Sequence, residues 1–187
     1  MSRWESFGKK RTFASLKRVI VIAAEGEITE PEYFQRLNSM STTAHFYIVA
    51  NPGNGSSPRA VLARMKAYLK ENPLNENDEA WIVLDCDDWP DKEIENIKKW
   101  AQRNKSGKYH LAMSKQRFED WLKLHVDNDK KAQKKFHPML CGKNKHILDD
   151  FITKERVIHA INRAKQLSQT SQNVGNVFEI LESFFRE

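Results

Sequence analysis

A chain of 187 residues with 40% hydrophobic and 30% charged side chains is expected to be one soluble, globular domain, and no stretch reaches the roughly 18 to 20 uninterrupted apolar residues of a membrane helix. The opening residues, MSRWESFGKKRTF, are polar and basic with no apolar run behind them, and two cysteines, Cys86 and Cys141, are too few for a disulfide framework, so a reduced, cytoplasmic protein without a secretory signal is expected. The formal charge of +6 is modest, but it is unevenly spread, with basic clusters at Lys9–Arg18 and Lys130–Lys145 and acids gathered at 25–32 and 85–95. Basic flanks around an acidic centre suit a nuclease, where lysines hold phosphates and carboxylates hold metal.

The elements alternate. Residues 18–24, RVIVIAA, form a continuous β-branched run expected to be a buried strand. An acidic turn follows, and Thr29 is placed to cap a helix entered at Pro31 with Tyr33, Phe34 and Leu37 behind it. HFYIVA at 45–50 is a second strand, NPGNGSSP at 51–58 a breaker, and Val61, Leu62, Met65, Tyr68 and Leu69 form one stripe of a second helix. AWIVL at 80–84 gives a third strand, 91–103 a helix, YHLAMS at 109–114 a fourth strand, and RFEDWLKLHV at 117–126 a short helix. This βαβαβαβα order predicts a largely parallel α/β sheet flanked by helices. The expected division is a basic segment over 1–17, an α/β core over 18–126, and a lysine-rich loop with C-terminal helices at 154–167 and 175–186, packed on the core. The stripe Val177, Ile180, Leu181 and Phe184 reads as internal packing.

In an open α/β sheet, sites gather at the carboxyl ends of the strands. Glu25 ends the first strand, Asp85 and Asp87 end the third, and Glu119 follows the fourth. Asp85 and Asp87, two residues apart in an extended chain, project to the same side and repel unless a cation joins them. Mg²⁺, or Mn²⁺, takes such oxygen donors together with substrate phosphate. Glu25, Asp85 and Asp87 are therefore the expected metal residues. Glu27 is an expected base or outer ligand, brought inward by the turn at Gly26. Glu30 and Glu32 suit the positive end of the helix dipole instead.

Glu25-Gly26-Glu27 with Thr29-Glu30-Pro31 and Tyr33-Phe34, the segment LDCDD, and SKQRFEDWLKLHV at 114–126 resemble, in order, three motifs of the RloB-like family. Lys115-Gln116 stand where that family usually carries Asn-Pro. The resemblance implies a topoisomerase-primase (Toprim) domain in which Glu25, Asp85 and Asp87 bind Mg²⁺ and Glu119 is a fourth acid. It also implies a Mg²⁺-dependent nuclease in bacterial defence against phage, often beside a partner ATPase. The alternative is a catalytically silent module that binds nucleic acid or regulates such an ATPase.

Other residues read as structural. His125 is expected to pack rather than catalyse. His137, Cys141 and His146 lack the paired spacing of a zinc site. Cys86, set between two carboxylates, is not expected to act as a nucleophile. Trp81, Trp100 and Trp121 fall on core faces, and NPGNGSSP lacks the lysine of a P-loop. Lys115 and Arg117 are candidates to steady phosphate charge.

Overall fold

A computed structural model of the chain describes residues 17–51, 53, 55–86, 89–103, 107–170 and 175–186. The basic approach at Lys9, Lys10 and Arg11 lies outside them. Strands β1 (Arg18–Ala24), β2 (Ala44–Ile48), β3 (Glu79–Leu84) and β4 (Tyr109–Met113) form one sheet in the order β2-β1-β3-β4. All three pairings are parallel, with Val21 beside Tyr47 and Ala80, and Val83 beside Ala24 and Ala112. Helices α1 (Thr29–Leu37), α2 (Pro58–Glu71), α3 (Asp91–Arg103), α4 (Phe118–Lys123), α5 (Lys130–Leu140), α6 (Lys154–Gln169) and α7 (Val177–Phe185) cover it. The parallel α/β class expected from the alternation is what is observed. Among the described residues, no helix is long and apolar enough to cross a membrane.

The central strands explain their own composition. A strand covered on both faces needs apolar side chains at every position, not at alternate ones. Ile20, Ile22 and Ala24 of β1 join Trp81 and Val83 beneath α1 and α4–α7. Val21 and Ala23 join Ala80, Ile82 and Leu84 beneath α2 and α3. Period-2 alternation thus sorts one apolar run into two cores.

Both edge strands are closed by an asparagine that imitates a neighbouring strand. Asn38 donates to Phe46 O at 3.1 Å and accepts from Phe46 N–H at 2.7 Å. Asn176 accepts from Met113 N–H at 2.7 Å, and its side-chain amide donates to Leu111 O at 3.1 Å. Satisfying the open hydrogen-bonding groups of an edge blocks further strand pairing there.

The region 127–150, expected to be irregular, contains α5. Asp129 caps it, accepting from the Lys131 and Ala132 amides at 3.0 Å each, and Ala132, Phe136, Met139 and Leu140 supply a buried stripe. The density of lysines and Pro138 in the last turn obscured that period. Beyond α6, the stripe Val177, Ile180, Leu181 and Phe184 is buried as read, and Phe184 stacks on Phe46 with ring centres 4.2 Å apart.

Candidate active site

A cleft of about 350 Å³ opens at the carboxyl end of the sheet, lined by Glu25, Glu27, Glu30, Asp85 and Glu119. Two of its carboxylates, Glu25 and Asp85, are held in a lateral chain that follows the strand order. The Glu25 amide donates to Val83 O at 3.0 Å, continuing the β1–β3 ladder one residue past β1. Oε2 of Glu25 then accepts from the Asp85 amide at 3.2 Å. Oδ1 of Asp85 accepts from Ser114 Oγ at 2.6 Å, and Ser114, just past β4, is buried and donates its own amide to Leu84 O at 3.0 Å. The ends of β1, β3 and β4 are therefore locked to one another through the very groups that carry charge.

Glu119 enters from the first turn of α4, and the tight turn at Gly142 lies against it: a Cβ on that glycine would stand 3.4 Å from Glu119 Oε1. Glu27 is exposed at the mouth, where Asn51 Nδ2 donates to its Oε1 at 3.4 Å. Asp87 lies outside the described residues. Among the described residues, no three carboxylate, imidazole or thiol groups are gathered so as to hold a metal ion.

Glu30 corrects the expectation that it serves only the helix dipole. It is buried, and its Oε1 accepts from the Gly26 amide at 3.2 Å. Burial, opposed by backbone hydrogen bonds and reinforced by the charges of Asp85 and Glu119, pushes its carboxyl up to about 7. The sequence signal was present: Glu30 occupies the same stripe as Tyr33, Phe34 and Leu37, at i, i+3, i+4 and i+7. A carboxylate at a core position is unusual enough to mark a site.

Thr29 is also corrected. Ile28 occupies the cap position of α1 without a side-chain bond, and Thr29, the first helical residue, donates from Oγ1 to Lys145 O at 2.8 Å. Glu32 completes that attachment by accepting from His146 Nδ1 at 2.6 Å and from the Ile147 amide at 2.8 Å. Partial burial pushes its carboxyl up, but the bonds from His146 and Ile147 outweigh this and hold it below the usual range. The segment 145–147 is thereby strapped to α1, and Lys145 is carried to the cleft wall. Arg64 ties the end of β1 to the loop before α2, donating to Ala24 O at 2.7 Å and to Gly55 O at 2.8 Å. Lys145 and Arg64 belong to none of the three motifs, and Ser114, the first residue of the third, takes its role from a tertiary contact with Asp85.

His125 packs, as expected. It is buried against Trp121 and Phe151, accepts from Tyr33 OH at Nε2 (2.9 Å), and donates from Nδ1 to Trp121 O at 3.2 Å. The Cys141 sulfur contacts His137 Nδ1 at 4.0 Å, while His146 is engaged by Glu32, and among the described residues no three such groups are gathered to hold a metal. Trp81, Trp100 and Trp121 are all buried.

Five carboxylates line the cleft, together with the hydroxyl residues Thr29 and Ser56 and with Lys145. The Glu30 carboxyl, raised chiefly by burial, is raised further by the charges of Asp85 and Glu119. A family model described as RloB-like protein matches residues 20–183. No curated protein and no solved structure matches the chain.

Proposed function

The chain belongs to the RloB-like protein family, and from that premise we propose that it is a Mg²⁺-dependent nuclease of the Toprim type, cleaving phosphodiester bonds of DNA or RNA in bacterial antiphage defence beside a partner ATPase. The observation that carries this reading is the Glu25–Asp85–Ser114 chain, which presents two fixed carboxylates at adjacent strand ends in a cleft shared with Glu119.

Glu25 and Asp85, with Asp87, are the residues to hold the cation. When bound, it would supply polarisation of the phosphoryl oxygen and a water of lowered pKa. The protein's part is orientation. The hydrogen bond from Ser114 fixes which way the Asp85 carboxylate faces, and the Asp85 amide does the same for Glu25. Glu27, exposed at the cleft mouth, is the candidate base for the attacking water. Lys145, carried on the strap, brings positive charge to a cleft that holds five carboxylates.

The test is a Mg²⁺-dependent cleavage assay on DNA and RNA, with and without the ATPase, comparing wild type with Glu25→Ala and Asp85→Ala. Loss of cleavage in both variants is expected. Equal activity in all three proteins overturns the reading, and binding without cleavage under every condition assigns a binding module instead.

A further inference from the structure

Helix α5 turns its apolar stripe inward at Ala132, Phe136, Met139 and Leu140. At about 100° per residue, Lys130, Lys131 and Lys134 then lie on the opposite, exposed side. Among the described residues, these three lysines, with Lys143 and Lys145 farther on, make no ion pair. Acids that might have neutralised them are engaged elsewhere. Asp129 caps α5, Asp127 binds His159 at 2.6 Å and Arg163 at 2.8 Å, and Asp150 pairs with Lys135.

This charged side also has a direction. The turn that ends α5 places Gly142 against the Glu119 carboxylate, and Lys145, three residues on, lines the acid cleft. From Lys130 to Leu140 the helix advances about 15 Å at 1.5 Å per residue, roughly the length of four nucleotides of one strand.

We propose that the lysine side of α5, continued through Lys143 and Lys145, is the track along which the phosphate backbone of a nucleic-acid strand lies and is led into the carboxylate cleft. The inference rests on the nuclease reading of that cleft and adds where the substrate runs. Lysines serving only solubility would be indifferent to position. A phosphate track is not, because each lysine that neutralises a phosphate releases a counterion and steepens the salt dependence of binding.

The experiment measures binding of a fluorescent 20-nucleotide DNA or RNA to the full chain, in EDTA, across a range of salt. The variant Lys130→Gln/Lys131→Gln/Lys134→Gln is expected to lower the slope of log K against log salt by about 2 to 3, at about 0.7 to 0.9 per contact. A control, Lys66→Gln/Lys92→Gln/Lys98→Gln, removes the same charge from α2 and α3 on the other face of the sheet and is expected to keep the wild-type slope. Single substitutions, each expected to lower the slope by just under 1, guard against a misfolded triple variant. Equal slopes in wild type and the α5 variant, an equal loss in both triples, or no binding by wild type would each overturn the track. Mg²⁺-dependent cleavage separates the two ideas. Cleavage that needs Asp85, with slopes unchanged, removes the track and keeps the nuclease. A selective α5 effect without cleavage by any protein keeps the track and removes the nuclease.

Discussion

The amide of Gly26 donates to Oε1 of Glu30 at 3.2 Å, and the glycine's missing side chain is what lets that carboxylate lie against the turn. A Cβ at position 26 would overlap the carboxylate itself. Gly26→Ala therefore forces Glu30 from its buried place or shifts the turn that carries Glu25. Overpacking of this kind costs about 1–3 kcal/mol, roughly 2–12 °C in midpoint for a chain of this size. Thermal unfolding and cleavage are both expected to suffer, and an alanine variant with wild-type midpoint would show that the turn relaxes freely.

Glu30→Gln is expected to stabilise the metal-free protein in a pH-dependent way. The carboxyl is raised to about 7 in the fold against 4.5 as its ordinary value. Its contribution to stability is therefore complete below about pH 4.5 and is lost as pH rises towards 7, where the unfolded chain has released a proton that the fold retains. The glutamine variant escapes that loss. Its midpoint in EDTA should exceed wild type at pH 8 and lose the advantage by pH 4.5. A difference independent of pH would mean that Glu30 is not held protonated by its surroundings.

The buried pair of Tyr33 and His125 gives the opposite sign. Burial holds the imidazole neutral, lowering its pKa from 6.5 to about 3, and pushes the phenol up. Below pH 6.5 the unfolded chain binds a proton that the fold refuses, so stability is present above about 6.5 and falls as pH drops towards 3, by about 1.4 kcal/mol per pH unit. Between pH 6 and 4.5, denaturant unfolding of His125→Asn should show a pH slope shallower than wild type by nearly one proton. Identical slopes would place a charged or exposed imidazole in the fold. Tyr33→Phe leaves Nε2 without its donor and should cost about 1–3 kcal/mol.

The parallel sheet was legible because β1 and β3 are covered on both faces and need unbroken apolar runs, which local sequence displays directly. The strand-end acids were legible for the same reason: once the strands are placed, Glu25, Asp85 and Glu119 fall at one edge. Glu30 stands both in the first turn of α1 and on its buried stripe, and the stripe governs where its carboxyl lies. Helix α5 was missed because lysines dominate its composition, although Ala132, Phe136, Met139 and Leu140 keep helical spacing. Ser114, Lys145 and Asn176 could not be assigned from the chain alone, since each acts through a partner from 29 to 116 residues away.

Gly175 tests whether the C-terminal helix supports the site. It forms an antiparallel bridge with Ser114, the residue that holds Asp85, and it precedes Asn176, which closes the edge of β4. Its φ is +72°, and a Cβ would overlap Met113 O and stand 2.9 Å from Ser114 Cα. Both are backbone, so no flexible side chain can move aside. Gly107 offers a control, with φ +66° and nothing within 4 Å of an added Cβ. Gly107→Ala costs only the left-handed conformation, about 1–2 kcal/mol. Gly175→Ala should cost about 1–3 kcal/mol more from the overlap, read as the difference between the two unfolding free energies. It should also reduce Mg²⁺-dependent cleavage, because the shift is transmitted to Ser114 and so to the Asp85 carboxylate, whereas Gly107→Ala should leave cleavage intact. Equal costs in the two variants would show that the segment docks loosely on β4 and that α7 does not brace the cleft.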